Sequence, residues 1–426
     1  MTQSTSSSPT PDRAFVRPLG AMERLFHLYA QEHPRHFCVV AEIAGNIPSL
    51  DFQPAFDQVQ KRHAMLSAYV VDDAQLGPCI HRAERPLPVN VFAAGKASDW
   101  RRIVERELAT PFVDREAPLM RATVLRERER ASIILTCHHA LLDGLSAVCI
   151  VGDLLEALCG RELAPLPVIA SMDQLLEAEF LRPDETLQPQ MPAGLTADKL
   201  REIADMPLWR PFEGDCPIVS TVSFDAETTA HIQRRSKAER TTVHGALCAA
   251  VVQCTARPPQ EVFTIASPVN VRTLLKDVDR HAAFLVGAAA VSFPVEPHRA
   301  FWDIARQATD ELAFARTSDG QLKSQAVIKA CVPPLADSKL ACGAMGSLTY
   351  DSIVTNMGVV ALPTEIGPLR LEAFWGPSVQ GRFRDERIIG AATLDGRLRV
   401  IQTSPTHIPP FVEPLRDALL QACGDA

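Results

Sequence analysis

Prolines break the regular patterns in the middle of this 426-residue chain. Eight of them lie between residues 165 and 217, where neither helical nor strand periodicity is sustained. Because proline fixes φ and lacks a backbone N–H, we expect no more than one or two short helices there. The sequence therefore predicts an N-terminal lobe over residues 13–162, a proline-rich linker over 163–216 and a C-terminal lobe over 217–426. The Ser-rich start, residues 1–12, predicts a disordered leader.

Both halves alternate short apolar runs with amphipathic segments, which predicts an α+β fold with two structurally similar lobes. The predicted strands cover residues 37–43, 68–71, 89–92, 119–125, 133–137, 218–224, 262–271, 287–293, 352–355, 388–394 and 398–403. The predicted helices cover residues 17–29, 51–63, 99–108, 148–158, 226–238, 243–256, 300–315 and 411–423. Residues 374–377, Phe-Trp-Gly-Pro, predict a turn that packs between the lobes.

One loop concentrates side chains that could do chemistry. It reads His138-His139-Ala140-Leu141-Leu142-Asp143-Gly144, between the predicted strand that ends at Cys137 and a predicted helix. A neutral imidazole can take a proton from an alcohol or amine as that group attacks a carbonyl. Asp143 could hold the tautomer of an imidazole or pair with an arginine, and the residues leave both open. Gly144 allows close backbone approach or a positive φ.

Two other kinds of site fit the same loop less well. The two histidines and Asp143 could ligate a metal, but adjacent side chains diverge in extended backbone and no fourth ligand is evident. Cys137 could be a nucleophile, but it neighbours His138 on a strand and so points to the opposite face. The sequence therefore favours acid–base chemistry without a metal.

Charge and composition exclude some classes of protein. The net charge of −8 argues against a general nucleic-acid binder, which would carry a basic stripe. No run approaches the roughly 20 apolar residues of a membrane span. The eleven cysteines form no C-x-x-C pair and read as small buried hydrophobes in a reducing cytoplasm. We expect a cytoplasmic monomer.

The loop resembles the His-His-x-x-x-Asp-Gly signature of the chloramphenicol-acetyltransferase-like acyltransferases. This superfamily includes nonribosomal peptide condensation domains, polyketide-associated acyltransferases and wax ester synthases. Three further segments are similar to it: residues 17–23 resemble the opening helix, 267–272 the segment that supplies an arginine, and 353–358 a second-lobe strand near the active site.

The resemblance implies two chloramphenicol-acetyltransferase-like lobes in a V-shaped pseudo-dimer with a central active-site tunnel. It implies that His139 is the general base and that no acyl-enzyme forms. Asp143 would make a structural ion pair with Arg272, while His138 and Gly144 shape the loop and the Gly144 N–H faces the oxyanion. Thr355 and Asn356 are expected to line the tunnel.

The same resemblance indicates the substrates. The donor would be a phosphopantetheine thioester, carried in trans by an acyl or peptidyl carrier protein, and no cofactor would be resident. The acceptor would be a small alcohol or amine in secondary-metabolite biosynthesis, with ester formation favoured. The alternatives are an acyl-coenzyme A-dependent O-acyltransferase of wax ester synthase or alcohol acetyltransferase type, and a catalytically inactive binding module.

Overall fold

The computed structural model describes residues 14–95, 98–113, 118–296 and 298–424, so the predicted leader lies outside the described residues. The strands before the proline-rich stretch are β1 (Ala14–Pro18), β2 (His36–Ala44), β3 (Ala68–Asp73), β4 (Gly77–Arg82), β5 (Val89–Ala93), β6 (Met120–Arg126) and β7 (Arg130–His138). The helices of the same half are α1 (Ala21–Glu32), α2 (Phe52–Arg62), α3 (Trp100–Leu108) and α4 (Gly144–Leu158).

The proline-rich stretch contains two helices, α5 (Met172–Phe180) and α6 (Ala197–Ala204). The strands that follow are β8 (Ile218–Ser223), β9 (Val262–Asn270), β10 (Val286–Pro294), β11 (Ser352–Val359), β12 (Glu365–Ile366), β13 (Leu369–Val379), β14 (Arg387–Leu394) and β15 (Arg397–Ser404). The remaining helices are α7 (Ala226–Ala238), α8 (Val243–Thr255), α9 (Phe301–Glu311), α10 (Ser318–Cys331), α11 (Ser338–Gly346) and α12 (Val412–Cys423).

Two open six-stranded sheets form the centres of the two lobes, which confirms the predicted α+β architecture. The N-terminal sheet has the order β12-β13-β2-β7-β6-β5, and the C-terminal sheet has the order β10-β9-β11-β14-β15-β8. Strand β7 is central and pairs with β2 along its whole length, from Ala44 opposite Arg130 to His36 opposite His138. The sheet therefore holds the start of the His-containing loop on a rigid element.

Strand β13 crosses from the C-terminal part of the chain into the N-terminal sheet. It pairs antiparallel with β2. The N-terminal sheet therefore includes a strand from beyond residue 217, where the predicted C-terminal lobe begins. The turn predicted at residues 374–377 is wrong, because these residues lie within β13 at an irregularity in its pairing. Local sequence could not show this, since a Gly-Pro pair marks a strand bulge as well as a turn.

Strand β13 also contacts the C-terminal sheet. Ser378 Oγ lies 2.6 Å from Thr403 Oγ1, and an Arg399 Nη donates to the Glu372 carbonyl at 2.8 Å. The Trp375 ring packs 5.7 Å from the Trp100 ring, in an apolar cluster shared by both sheets. Strand β13 thus fastens the two lobes to each other.

The opening segment differs from its prediction. Residues 17–29 were expected as one helix, but Arg17 and Pro18 end strand β1 and the helix starts at Ala21. Gly20 precedes the helix, and its backbone N–H donates to Glu23 Oε2 at 2.8 Å. The same carboxylate pairs with Arg17, so it binds both the strand end and the helix start.

The helices of the linker and of residues 318–346 share one apolar core with α1. Leu176 of α5 and Leu200 of α6 are fully buried in it, together with Ala341 of α11. No helix was predicted over residues 318–346, because the apolar residues of α10 and α11 follow no strong single stripe. In the part of the chain that the structure describes, no helix is both long and apolar enough to cross a bilayer.

Because β13 belongs to both lobes, we predict that they unfold together. Phe374 of β13 is fully buried, and Phe374→Ala should lower the free energy of unfolding by about 3–5 kcal/mol. Scanning calorimetry should show one transition that moves as a unit. As a control, Phe314→Ala removes a ring that is 54% exposed and should change stability by no more than about 0.5 kcal/mol. Two separate transitions, only one of which responds to Phe374→Ala, would contradict the shared strand.

Candidate active site

The His-containing loop is fixed at both ends by secondary structure. His138 is the last residue of β7, and Asp143 is the N-cap of α4. Asp143 Oδ1 accepts hydrogen bonds from the Ser146 backbone N–H at 2.8 Å and from the Ser146 hydroxyl at 2.9 Å. The first of these bonds pairs a backbone N–H of the first turn, which has no partner within the helix. The end of the loop at Asp143 is thereby fixed.

His139 presents one nitrogen for chemistry. Its Nδ1 lies 3.2 Å from the Leu142 carbonyl oxygen, to which it can only donate a proton. This contact makes Nδ1 the protonated nitrogen and leaves the Nε2 lone pair as acceptor. The rings of Phe26, Phe37 and Phe284 lie with centroids 4.9, 5.0 and 5.8 Å from the imidazole.

The surroundings keep His139 neutral. The exposed part of its side chain faces a cavity rather than bulk water, and burial lowers its pKa. The positive charge of Arg35 lowers the pKa further, to about 3, and Asp143 opposes this only in part. At neutral pH the imidazole therefore carries an available lone pair.

His138 has different surroundings. Its side chain is buried, and Nδ1 accepts the Ala140 backbone N–H at 3.2 Å. The Phe112 ring packs against it edge to face at 5.8 Å. Unlike His139, His138 is not among the described residues that line the cavity. These contacts fit a residue that shapes the loop.

Asp143 and Arg272 form a buried ion pair between the two halves of the chain. Arg272 Nη1 lies 2.6 Å from Asp143 Oδ2, and both side chains are 4% exposed. The same Oδ2 accepts the Leu285 backbone N–H at 2.8 Å. Burial alone would raise the pKa of Asp143, but Arg272 and the donors around it hold that pKa below its usual value. The carboxylate therefore pairs with Arg272 and, among the described residues, has no hydrogen bond with His139.

Ser146 completes this network and was missed by the sequence reasoning. Its Oγ also lies 2.6 Å from the Ala283 carbonyl oxygen, which shares the single hydroxyl hydrogen with Asp143 Oδ1, and it accepts from Arg272 Nη2 at 3.0 Å. The Ala283 backbone N–H also donates to it at 3.0 Å. A serine three residues after Asp143 is a capping signal, so the local part of its role was readable. Its contacts with residues 272 and 283 depend on tertiary structure.

His139 lines a large apolar cavity, here called the His139 cavity. The space in it that is open to the centres of water-sized molecules is about 210 Å³. Gly144 and Thr355 also line it, as do apolar residues of α1 and β10. A smaller cavity adjoins it and is called the Arg272 cavity, because Arg272, Asn356 and Met357 line it. Asp143, Gly144 and Thr355 line both cavities, so the two meet at the loop.

Asn356 and Gly144 occupy tight positions. Of the two cavities, Asn356 lines only the Arg272 cavity. Its Oδ1 accepts the Gly358 backbone N–H at 2.9 Å. A Cβ on Gly144 would lie 3.0 Å from Met357 Sδ. Gly144 is not one of the described glycines that have a positive φ. A side chain here would thus require Met357 of β11 to shift, whereas the backbone conformation does not call for glycine.

The competing sites find no support in this geometry. Cys137 is fully buried, and burial raises the pKa of its thiol well above the ordinary value. Within the described ranges, no three His, Cys, Asp or Glu side chains are grouped closely enough to hold a metal ion.

Two family models match consecutive parts of the chain. The condensation domain model matches residues 17–170, and the model of the phthiocerol/phthiodiolone dimycocerosyl transferase C-terminus matches residues 214–400. His139 and Asp143 lie in the first match and Arg272 lies in the second. The ion pair thus joins a residue from each of the two matched regions.

Curated proteins match over shorter stretches. The chain is 27% identical to bacitracin synthase 3 of Bacillus licheniformis over 242 residues, which are 54% of this chain and 4% of that protein. It is 24% identical to tyrocidine synthase 3 of Brevibacillus parabrevis over 195 residues, 43% of this chain and 3% of that protein. The chain thus spans a small fraction of the length of these relatives.

Solved structures match over nearly the whole chain. Polyketide synthase associated protein 5 of Mycobacterium tuberculosis aligns with a TM-score of 0.65 at 18% identity, covering 97% of this chain and 100% of that one. The first condensation domain of the CDA synthetase aligns with a TM-score of 0.68 at 15% identity, covering 96% and 97%. At these identities the likeness shows the fold, two lobes of the same kind.

The buried ion pair gives a prediction for stability. Asp143→Ala and Arg272→Ala should each lower the free energy of unfolding by about 3–5 kcal/mol, because each leaves a buried partner charge unpaired. Urea unfolding followed by circular dichroism measures this. Arg416→Ala is the matched control, because it breaks an exposed pair with Glu413 and should cost less than about 1 kcal/mol. Equal, small losses in all three variants would contradict the role given to the pair.

The same pair gives a prediction for pH. The pKa of Asp143 is lower in the folded protein than in the unfolded chain, where it is about 3.9. Its contribution to stability is therefore full above that pH and is lost as the pH falls through the folded value. The stability difference between wild type and Asp143→Asn should shrink below pH 4. A difference that stays constant down to pH 2 would contradict the depressed pKa.

Proposed function

The chain belongs to the chloramphenicol-acetyltransferase-like superfamily that contains condensation domains and polyketide-associated acyltransferases, and we propose that it transfers an acyl group from a thioester to a nucleophilic acceptor at His139. One observation carries the proposal. A neutral imidazole, with its Nε2 lone pair available, lines an apolar cavity at the point where a second cavity meets it.

In this proposal, His139 acts as general base. Nε2 takes the proton from the acceptor hydroxyl or amine as the acceptor oxygen or nitrogen attacks the thioester carbonyl. The carbon–sulfur bond of the resulting intermediate then breaks, and the departing sulfur takes the proton back from the imidazolium. The products are an ester or amide and a free thiol, so His139 ends as it began.

Two adjoining cavities support direct transfer, without an acyl-enzyme. Donor and acceptor can approach the loop from different sides, and holding both there supplies much of the rate gain. Cys137, the thiol nearest in sequence, is buried and cannot serve as nucleophile. The Gly144 N–H at the first turn of α4 is the donor proposed for the developing oxyanion, aided by the positive end of the helix dipole.

The lining of the His139 cavity supports an apolar acyl chain as its occupant. Met22, Leu25 and Phe26 come from α1, and Phe284 and Ile328 face them. Burial of each methylene among such side chains contributes about 0.8 kcal/mol. Ala288 and Ala290 of β10 leave room along one wall.

The donor is proposed to be a phosphopantetheine thioester on a carrier protein supplied in trans, as part of secondary-metabolite biosynthesis. The match to the condensation domain model supports the carrier-bound donor. Ester formation is proposed in preference to amide formation. The alternative is an acyl-coenzyme A-dependent O-acyltransferase. It keeps the same base and the same cavity and differs only in what carries the thioester.

Replacing the proposed base tests the proposal. His139→Ala should lower kcat/KM for acyl transfer by about 10²- to 10⁴-fold, because general-base catalysis is lost, while the melting temperature stays near that of the wild type. His407→Ala is the control, since that half-exposed histidine pairs only with Asp385 among the described residues and should leave transfer unchanged. Full activity in His139→Ala would show that the base is another group.

The pH profile gives an independent test. With a pKa of about 3, His139 should stay neutral from pH 8 down to pH 5, so kcat/KM should show no loss from its protonation in that range. A stopped assay of ester product across this range measures it. An acid limb centred near pH 6.5 would contradict the proposed environment of the imidazole.

The donor is tested separately. Purified protein is given one acyl group either on a carrier protein or on coenzyme A, with the same alcohol acceptor, and product is followed by mass spectrometry. We expect higher kcat/KM with the carrier-bound donor. Turnover with coenzyme A alone would contradict the carrier part of the proposal and favour the alternative.

A further inference from the structure

A buried guanidinium borders the His139 cavity beside the proposed base. Arg35 immediately precedes β2, lines the same cavity as His139 and is 5% exposed. Its carbonyl oxygen accepts the His139 backbone N–H at 3.3 Å. The position of Arg35 is therefore tied to that of His139.

The hydrogen bonds of the Arg35 guanidinium are incomplete. Its Nε and Nη1 are buried and have no hydrogen-bond partner among the described residues. Arg24, a buried arginine of the neighbouring helix, differs, because its Nε and Nη1 donate to the Val332 and Leu19 carbonyls. Leaving buried charged donors unpaired is costly, so such a group indicates a missing partner.

The groups nearest to Arg35 supply part of a partner. Burial lowers the pKa of Arg35, but the charges of Tyr350 and Glu386 and a side-chain hydrogen bond with Tyr350 outweigh it, so the pKa is raised. The Phe26 ring lies 5.6 Å from the guanidinium carbon. Glu386 Oε2 accepts the Phe383 backbone N–H at 3.3 Å, while its Oε1 is buried with no partner in the described chain. Burial raises the pKa of Glu386, although Arg35 opposes this, so its carboxylate is a weakened counter-ion.

We propose that Arg35 binds a carboxylate of the substrate that occupies the His139 cavity. The remaining lining is mostly apolar, so the ligand would be amphipathic, with an apolar body and one anionic group near the base. This inference rests on the proposed function. The carboxylate could belong to the acceptor, as in a hydroxy or amino acid, or to the far end of a dicarboxylic acyl chain.

The arrangement would also affect the base. The positive charge of Arg35 disfavours the imidazolium form of His139. A bound carboxylate would offset that charge and make proton transfer to Nε2 easier. Arg35 would thus act on specificity and on positioning, without touching the reacting atoms.

Binding is tested first, without turnover. The melting temperature of the full chain is measured with octanoate and with octanamide, which match in length and differ in charge. We expect the wild type to bind octanoate at least tenfold more tightly. Arg35→Met should abolish this preference, whereas Glu386→Gln, which changes a neighbour outside the cavity lining, should retain it. Equal binding of both probes by the wild type would overturn the proposal, whether or not Arg35→Met folds.

Transfer assays then identify the source of the carboxylate. One arm compares a hydroxy acid acceptor with its methyl ester, using a neutral acyl donor. The other compares a dicarboxylic monothioester with its methyl ester, using a neutral acceptor. One arm should show a preference for the carboxylate of tenfold or more that Arg35→Met removes, while Glu386→Gln keeps it.

The outcomes separate the two proposals. Turnover in both arms without any preference for carboxylate would overturn the assignment of Arg35 and leave acyl transfer standing. Selective octanoate binding with no turnover in either arm would overturn the acyl-transfer function and support the anion site by itself. A preference that persists in Arg35→Met would place the anion-binding group elsewhere.

Discussion

The buried contact between Asp143 and Arg272 is the interaction on which the rest of the site depends. Asp143 caps helix α4, and Arg272 follows strand β9 in the other sheet, so one ion pair sets the start of a helix and the approach of two lobes. Ser146 and the backbone of residues 283–285 complete the set of donors and acceptors. The ion pair thus fixes the residue at which the loop enters α4, and His139, four residues earlier, lines the cavity.

Strand β13 provides a second connection between the two lobes. Strand β13 hydrogen-bonds to β2, the strand that also pairs with β7, and its side chains contact β15. The cavities lie between these two fastenings. This arrangement explains how a site built from two lobes can be rigid enough to position a base, while the substrates still have open space around it. Arg35 lies next to β2, where its Nε and Nη1 have no hydrogen-bond partner among the described residues.

The sequence predicted those parts of the molecule that depend on local patterns. The strand and helix around His139 followed from periodicity, and the pairing of Asp143 with Arg272 followed from the resemblance to a known superfamily. Strand β13 was not predicted, because its Gly-Pro pair was interpreted as a turn, and local sequence does not show which sheet receives a strand. Arg35 carried no signal, since a lone arginine before a strand is most often exposed. Its burial arises from Tyr350, Glu386 and α1, which are distant in sequence from one another.

The central claim is that His139 is a neutral imidazole whose Nε2 is unprotonated. Nitrogen NMR of protein labelled at histidine, with the His139 signals assigned by their absence in His139→Gln, tests this most directly. We predict that at pH 7 the Nδ1 signal is of the protonated type and the Nε2 signal of the unprotonated type, and that both persist to pH 5. Signals typical of the imidazolium ion at pH 7, or the opposite tautomer, would contradict the account.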